Sequence, residues 1–282
     1  MTLQSKHQCL GLALALLCCL DARAFVSSPG APANPVGRKG QLAPLDSVAT
    51  IAESSQAGAD TRSLVLEVAS EVSEGYTMPG QYVQISTGDQ KPGFYAIASP
   101  PSGAGRLEFL VKETDSNKWL TGAAKGATVE MSDVMGKGFP VKEEFESYKY
   151  DFPTMNIILA CTGSGIAPIR AAIESSMLEV GESDVFGRSC TLYYGVRNSE
   201  FLPYKEKIAE WEGKGITVVP VLSQPEPGWT GRTGYVQAAI AEDNIRIPRN
   251  TGCLLCGQKE MVNETKEVLT AAGVFEGRLL TN

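Results

Sequence analysis

Histidine is almost missing from this chain. The one histidine among 282 residues is His7, and it lies in a segment whose composition marks it for removal. A mature chain without imidazole excludes a Ser-His-Asp triad, a Cys-His dyad, a His-ligated haem and a His-bearing zinc site. No metal site is therefore expected. The seven cysteines fall into Cys9, Cys18 and Cys19 near the N-terminus and Cys161, Cys190, Cys253 and Cys256 later. No spacing among them fits a plant-type iron–sulfur cluster, so no ferredoxin domain is built in. Cys253-x-x-Cys256 lies inside an apolar run and reads as strand packing, with a dithiol site as the alternative. Chemistry here must need no imidazole, which suits chemistry carried by a cofactor that the protein positions.

Blocks of like charge and internal repeats are also lacking. The formal net charge is −7, from 25 basic and 32 acidic residues. Without residues 1–24 it is −8, because Lys6, Arg23 and Asp21 go with them. An acidic protein of this kind is a poor partner for nucleic acid or an anionic membrane. The apolar run Leu10 to Leu20 is too short to span a bilayer comfortably, so no stable membrane insertion is expected. It follows Lys6 and ends at Ala22-Arg-Ala24, which reads as a signal peptide over residues 1–24. From Ala22 to Leu45 there is no acidic residue, while Ser27, Ser28, Pro29, Pro32, Pro35, Arg38 and Lys39 are present. Residues 25–45 thus have transit-peptide composition. With Phe25 behind an apolar signal, the two segments resemble the bipartite presequence of algae with secondary plastids. A plastid location is expected, with secretion as the alternative.

What is present is concentrated in Cys161-Thr-Gly-Ser-Gly-Ile-Ala-Pro-Ile-Arg170. It follows the apolar run Met155 to Ala160, which reads as a buried parallel strand. Pro168 suits the first turn of a helix, where its missing N–H costs nothing. Strand, glycine turn and helix make a place for a dinucleotide pyrophosphate. Gly163 and Gly165 admit the ligand to the backbone, and the helix start offers free N–H donors. Strands near 155–161, 189–194, 216–221 and 253–256 alternate with helices near 167–179, 203–212, 234–241 and 258–271. This is the doubly wound parallel pattern. Upstream, from about Ser63 to Met131, short alternating strands near 63–68, 81–85, 94–98, 106–111 and 127–131 predict an antiparallel sandwich or barrel. The polar stretch Lys142 to Lys149 reads as the connection. The predicted domains are 46–150 and 151–282, and 43% hydrophobic residues are enough for both cores.

Five segments in this order resemble the ferredoxin–NADP reductase-like family of flavin oxidoreductases. They are Gly80 to Ile85, Tyr95 to Ser99, Cys161 to Arg170, Thr191 to Arg197 and Cys253 to Gly257. The resemblance covers roughly residues 60–282. It implies a Greek-key flavin-binding barrel followed by a doubly wound nucleotide-binding domain. It also implies FAD or FMN as flavin, and NADPH or NADH as hydride donor. The expected partner is an electron acceptor of unknown identity, such as a small redox protein. In the family, an Arg-x-Tyr-Ser-x-x-Ser segment holds the flavin. Tyr95 and Ser99 match its Tyr and last Ser, and the backbone around Ile97 is expected to bond the ring. Gly93 stands in place of the Arg, and Ala96 in place of the first Ser. Ser116, in the turn Thr114-Asp-Ser-Asn117, takes the position of a second phosphate contact or is an N-cap. The resemblance places Thr162, Gly163, Ser164 and Gly165 on the nicotinamide dinucleotide, and Cys256-Gly257 beside the nicotinamide. Cys256, Tyr95 and Ser99 are then the expected catalytic residues. Ser223 and Tyr235 match the family's nucleotide-selecting positions, Gln224 replaces an Arg, and Arg232 and Arg197 are candidates for ribose or phosphate. Some relatives end on an aromatic residue over the flavin, where this sequence reads Arg278-Leu-Leu-Thr-Asn282. The departures at Gly93 and Ala96 keep a second class open: a degenerate reductase fold acting as a structural or assembly subunit.

Overall fold

A computed structural model describes residues 42–146, 150, 152–181 and 187–282. The predicted signal peptide and most of the transit-like segment lie outside the described residues. All described residues belong to one compact unit, Val36–Asn282.

The first half is an antiparallel sheet. Its strands are β1 (Ser47–Gly58), β2 (Thr61–Glu67), β3 (Tyr82–Ser86), β4 (Gly93–Ala96), β5 (Arg106–Lys112) and β6 (Thr128–Met131), in the order β4-β3-β6-β1-β2-β5. The two edges meet. An antiparallel bridge joins Ile97 to Phe109, and the Ala98 N–H donates to the Glu108 carbonyl at 2.7 Å. The sheet is thereby closed into a barrel, which leaves no free strand edge at that seam. Alternation supplies the filling: Leu64, Leu66, Val83, Ile85, Ile97 and Phe109 are all fully buried in one cluster. Short helices α1 (Ser70–Gly75) and α2 (Lys118–Thr121) interrupt the barrel, and α3 (Val141–Phe145) lies in the predicted connection.

Strand β1 is the longest of the barrel and was not expected from the sequence. Its buried positions include Ala49 and Ala52 beside Ile51, and a register shift between Ile51 and Glu53 breaks the parity. Small residues and a bulge remove the alternating signal on which strand reading depends.

The second half is a sheet of parallel strands: β7 (Asn156–Thr162), β8 (Ser189–Val196), β9 (Ile216–Leu222), β10 (Arg232–Thr233), β11 (Thr251–Cys256) and β12 (Leu279–Thr281), in the order β10-β9-β8-β7-β11-β12. Helices α4 (Ile166–Glu174), α5 (Ile208–Gly213), α6 (Val236–Glu242) and α7 (Lys259–Ala271) connect them. Two apolar clusters lie on the two faces of this sheet, and they divide its side chains by parity. Ile157, Leu159 and Cys161 belong to one, Ile158 and Ala160 to the other. The predicted helix near 203–212 begins only at Ile208, because Tyr204 is left-handed at φ 60° and interrupts the turn. The two halves share a core: Ala98 and Leu110 of the barrel cluster with Ile166, Ala167 and Ile169 of α4 and its start.

Candidate active site at the strand-order reversal

Strand order reverses at β7. Strands β8 and β9 lie on one side of it, β11 and β12 on the other. Crossover connections diverge at such a point and leave a crevice beyond the carboxyl ends of the strands. Here the crevice is walled on its open side by the barrel. The result is a cleft of about 1120 Å³ between the halves.

Its floor is two turns pressed together. The turn Gly163–Gly165 links β7 to α4, and Gly257 follows β11. A Cβ at Gly165 would lie 2.7 Å from the Cys256 carbonyl carbon and 2.8 Å from Gly257 Cα, so only glycine permits the approach. Gly257 itself has φ +146°, and a Cβ there would strike Thr162 Oγ1. That hydroxyl accepts a hydrogen bond from the Gln258 N–H at 3.0 Å. Thr162 thus ties the second turn to the first. The turn runs on into α4, whose first N–H, that of Ile166, donates back to the Gly163 and Ser164 carbonyls.

Cys256 lines the cleft, half-buried, at the end of β11. Burial pushes its thiol pKa up to about 12, so at neutral pH it is a protonated, soft, small group rather than a nucleophile. The dithiol alternative does not fit the strand. Positions 253 and 256 differ by an odd number, and Cys253 packs in the cluster on one face while Cys256 packs against the other.

The α/β wall of the cleft carries Arg197, Ser223 and Tyr235. Tyr235 is 66% exposed, which leaves its ring face open to a planar ligand. The Arg197 guanidinium lies 4.6 Å from the Phe201 ring centre. Arg232 is turned away, ion-paired with Glu242 at 2.9 Å and with Asp243.

The barrel wall carries Tyr82, Phe94, Tyr95, Asn117 and Lys112. Tyr82 and Phe94 meet edge to face, with centroids 5.8 Å apart. The Tyr95 ring folds over Gly93, where a Cβ would come within 2.5 Å of the Tyr95 hydroxyl. Burial raises the Tyr95 pKa, and its hydrogen bond with the Asn117 side chain pulls it part way back.

The structure therefore brings Tyr95, Thr162, Gly163, Ser164, Gly165, Arg197, Ser223, Tyr235, Cys256 and Gly257 around one cavity. It leaves four sequence candidates off its lining. Ile97 is fully buried, and its N–H donates to the Gln81 carbonyl. Ser99 Oγ accepts from the Glu108 N–H at 3.1 Å and so helps close the barrel. Ser116 Oγ pairs with Thr114 Oγ1 at 3.1 Å on the surface. Arg232 is held by its two carboxylates. Phe94, Tyr82, Asn117, Lys112 and Phe201 were not expected at the site. Phe94 and Asn117 sit next to residues that were, and a reading of strand parity around Tyr95 or of side-chain capping in the turn could have raised them.

Residues 159–267 match the family profile of the oxidoreductase NAD-binding domain. The chain is 35% identical over 217 residues to the fruit protein pKIWI502 of Actinidia deliciosa, covering 73% of this chain and 66% of that one. It is 26% identical over 176 residues to the chloroplastic leaf isozyme 1 of ferredoxin–NADP reductase from Oryza sativa subsp. indica, covering 60% and 46%. The chain thus spans about half to two thirds of the length of these relatives. A ferredoxin NADP+ reductase from Neisseria gonorrhoeae, solved with bound FAD and NADP, superposes with a TM-score of 0.66 at 19% identity, covering 83% of this chain and 97% of that one. The barrel closed against a doubly wound sheet, the glycine turn at its reversal point and these relatives together place the chain in the ferredoxin–NADP reductase-like family of FAD- and NAD-binding oxidoreductases.

Proposed function

We propose that this protein is a flavin-dependent oxidoreductase that takes hydride from NAD(P)H and passes electrons to a separate acceptor. One observation carries the reading. A single cleft joins a dinucleotide-type glycine turn to an aromatic barrel wall, with the half-buried Cys256 on its floor. A bound flavin, FAD or FMN, supplies the hydride-accepting chemistry. The residues supply geometry. Gly163 to Gly165 and the start of α4 hold the pyrophosphate of the nicotinamide nucleotide. Cys256 and Gly257 leave room for the nicotinamide ring, and the protonated thiol adds no charge there. Tyr82, Phe94 and Tyr95 present ring faces and edges to the flavin. Ser223 and Tyr235 hold the adenosine half, with Arg197 as the cation nearest to it. No proton-shuttling imidazole is required, in keeping with a chain whose one histidine is His7.

The acceptor is proposed to be a small redox protein, and the acid-free segment from Ala22 to Leu45 supports plastid import. A fluorescent fusion of the full chain that remained in the secretory pathway would sink the import proposal. The enzymatic reading is tested by the absorption spectrum of the purified protein supplied with FAD or FMN and titrated anaerobically with NADPH and NADH. Flavin bands that bleach at one equivalent support it. Failure to take up either flavin would favour the second reading, a non-catalytic subunit, which the glycine at position 93 motivates.

A further inference from the structure

Arg197 is held on the α/β wall without spending its donors. Its guanidinium lies over the Phe201 ring, 4.6 Å from the centroid, and both residues line the cleft. Among the described residues the guanidinium has no carboxylate partner, whereas Arg232 is engaged by Glu242 and Asp243. A ring face attracts a guanidinium through its π cloud and leaves the N–H groups around the rim free, while a carboxylate would occupy them. Arg197 is thus steadied and can still offer its fork of donors to a phosphate. The ring is steadied in turn. Phe201 ends a single turn of 3-10 helix, Ser199–Phe201, capped by Asn198. The Asn198 side chain accepts from the Glu200 N–H at 3.1 Å, and its carbonyl accepts from the Phe201 N–H at 3.1 Å. The Ala59 N–H, at the tip of the hairpin between β1 and β2, donates to the Glu200 carbonyl at 2.9 Å, so the barrel braces this turn. The loop after β9 braces it from the other side. Its Ser223 N–H donates to the Val196 carbonyl at 3.1 Å, and its Gln224 N–H to the Arg197 carbonyl at 2.8 Å. Glu226 is the one acid between Ser223 and Gly231. Both its oxygens are taken by Ser199, whose hydroxyl donates to one and whose N–H donates to the other at 3.4 Å. Ser199 therefore engages the carboxylate that stands beside the Arg197 turn.

We propose that Phe201 and Ser199 are positioning residues that set the preference for a 2′-phosphorylated nucleotide, Phe201 by holding the Arg197 guanidinium over its ring and Ser199 by keeping Glu226 away from it. This rests on the nucleotide reading of the α/β wall given above. Both residues act through Arg197. The nicotinamide end of the nucleotide is assigned to Cys256 and Gly257, so changes at positions 199 and 201 act on binding and not on the hydride step.

The test uses the full protein and two probes that differ by one phosphate, 2′,5′-ADP and 5′-AMP, with dissociation constants measured by calorimetry. The parent is expected to bind 2′,5′-ADP about tenfold more tightly, the share of one charge-assisted contact. Phe201→Leu keeps an apolar side chain and removes the π face. It is expected to weaken 2′,5′-ADP by about threefold and to leave 5′-AMP unmoved, while Phe201→Tyr keeps the parent values. In an Arg197→Ala background Phe201→Leu is expected to change nothing further, because the two residues act as a pair. Ser199→Ala is expected to weaken 2′,5′-ADP by about threefold as well, and adding Glu226→Gln is expected to bring the affinity back, since the competing charge is then gone. A general loosening of the turn would not be repaired by that second change. In turnover the single variants should raise KM for NADPH in the same proportion, with kcat within about twofold of the parent. Equal losses on both probes, or a full Phe201→Leu effect without Arg197, would overturn the proposal and leave the nucleotide site standing. A parent that binds the two probes equally would overturn it likewise. Binding of neither probe would remove the nucleotide reading and the proposal together.

Discussion

Cys256 illustrates how little the site asks of any one side chain. Its thiol is pushed up to about 12 by burial, so no thiolate forms in the working range. Cys256→Ser is therefore expected to keep turnover within about tenfold, and to keep the same flat profile between pH 6 and 9 as the parent. A new or vanished inflection in that range, or complete loss of activity, would restore a nucleophilic or dithiol role. Arg197 is the more selective residue. With Arg232 held by Glu242 and Asp243, Arg197 is the one cation on the α/β wall of the cleft among the described residues. Arg197→Ala is expected to raise KM for NADPH by about tenfold with NADH nearly unaffected, the amount one charge-assisted contact to a 2′-phosphate supplies. Equal effects on both would mean that it contacts the pyrophosphate or nothing. The sequence could point to Tyr95 and the glycine turn because their chemistry is local. It could not decide between Arg197 and Arg232. The carboxylates that hold Arg232 stand 10 and 11 residues away at the end of α6, and only the fold brings them back.

Between elements, the decisive contact is a buried ion network from β5 to α4. Arg170, 5% exposed, donates to Glu108 at 2.6 Å and to Glu174 at 3.0 Å, with Lys207 at 2.9 Å from Glu174 and the Tyr204 ring beneath the guanidinium. Glu108 is also the residue whose N–H Ser99 accepts. The strut thus runs from the barrel seam to the helix that carries the dinucleotide turn. Burial opposes charge on both partners. For Arg170 the hydrogen bonds to Glu174 and Glu108 outweigh it, and for Glu174 those from Arg170 and Lys207 do, so the carboxyl is held below its ordinary range. A depressed carboxyl adds stability above its unfolded pKa, and loses it as pH falls through the folded value. The strut is therefore expected to be intact at neutral pH and to fail in acid, below about pH 4.5. Arg170→Gln is expected to lower stability by about 2–4 kcal/mol at pH 7, because Glu108 loses its partner and Glu174 keeps only Lys207, and to flatten the acid limb of the stability curve. An unchanged acid limb in a urea titration series would remove the strut from the account. None of this was legible beforehand, although Arg170 closes the most informative run of the sequence. Apolar period places α4 and its buried face, while the partner of a buried arginine is a long-range fact. Strand β1 was hidden for a different reason, its alanines and bulge.

Across the molecule the two periodicities, near 2 up to Met131 and then strands alternating with helices, were enough to recover both halves and their order. How the halves meet was not recoverable, since the residues that join them read as ordinary strand and helix positions. Ala98 and Leu110 alternate correctly for a barrel, and Ile166, Ala167 and Ile169 for an amphipathic helix, yet they share one cluster. With one cluster shared between them and the Arg170 strut, each half leaves part of its apolar surface uncovered without the other. The chain is therefore expected to unfold in one cooperative step. Tryptophans stand on both sides to report it: Trp119 in the barrel half, Trp211 and Trp229 in the other. Single-tryptophan variants followed in urea should give coincident transitions. NADP+ at about a hundred times its dissociation constant should raise both together by about 2.7 kcal/mol. Because the proposed nucleotide site lies mainly on the α/β wall, a shift confined to Trp211 and Trp229 would mean that the halves fold separately. The cleft would then be an interface between independent domains, and the geometry for hydride transfer would have to be set by ligand rather than by the fold.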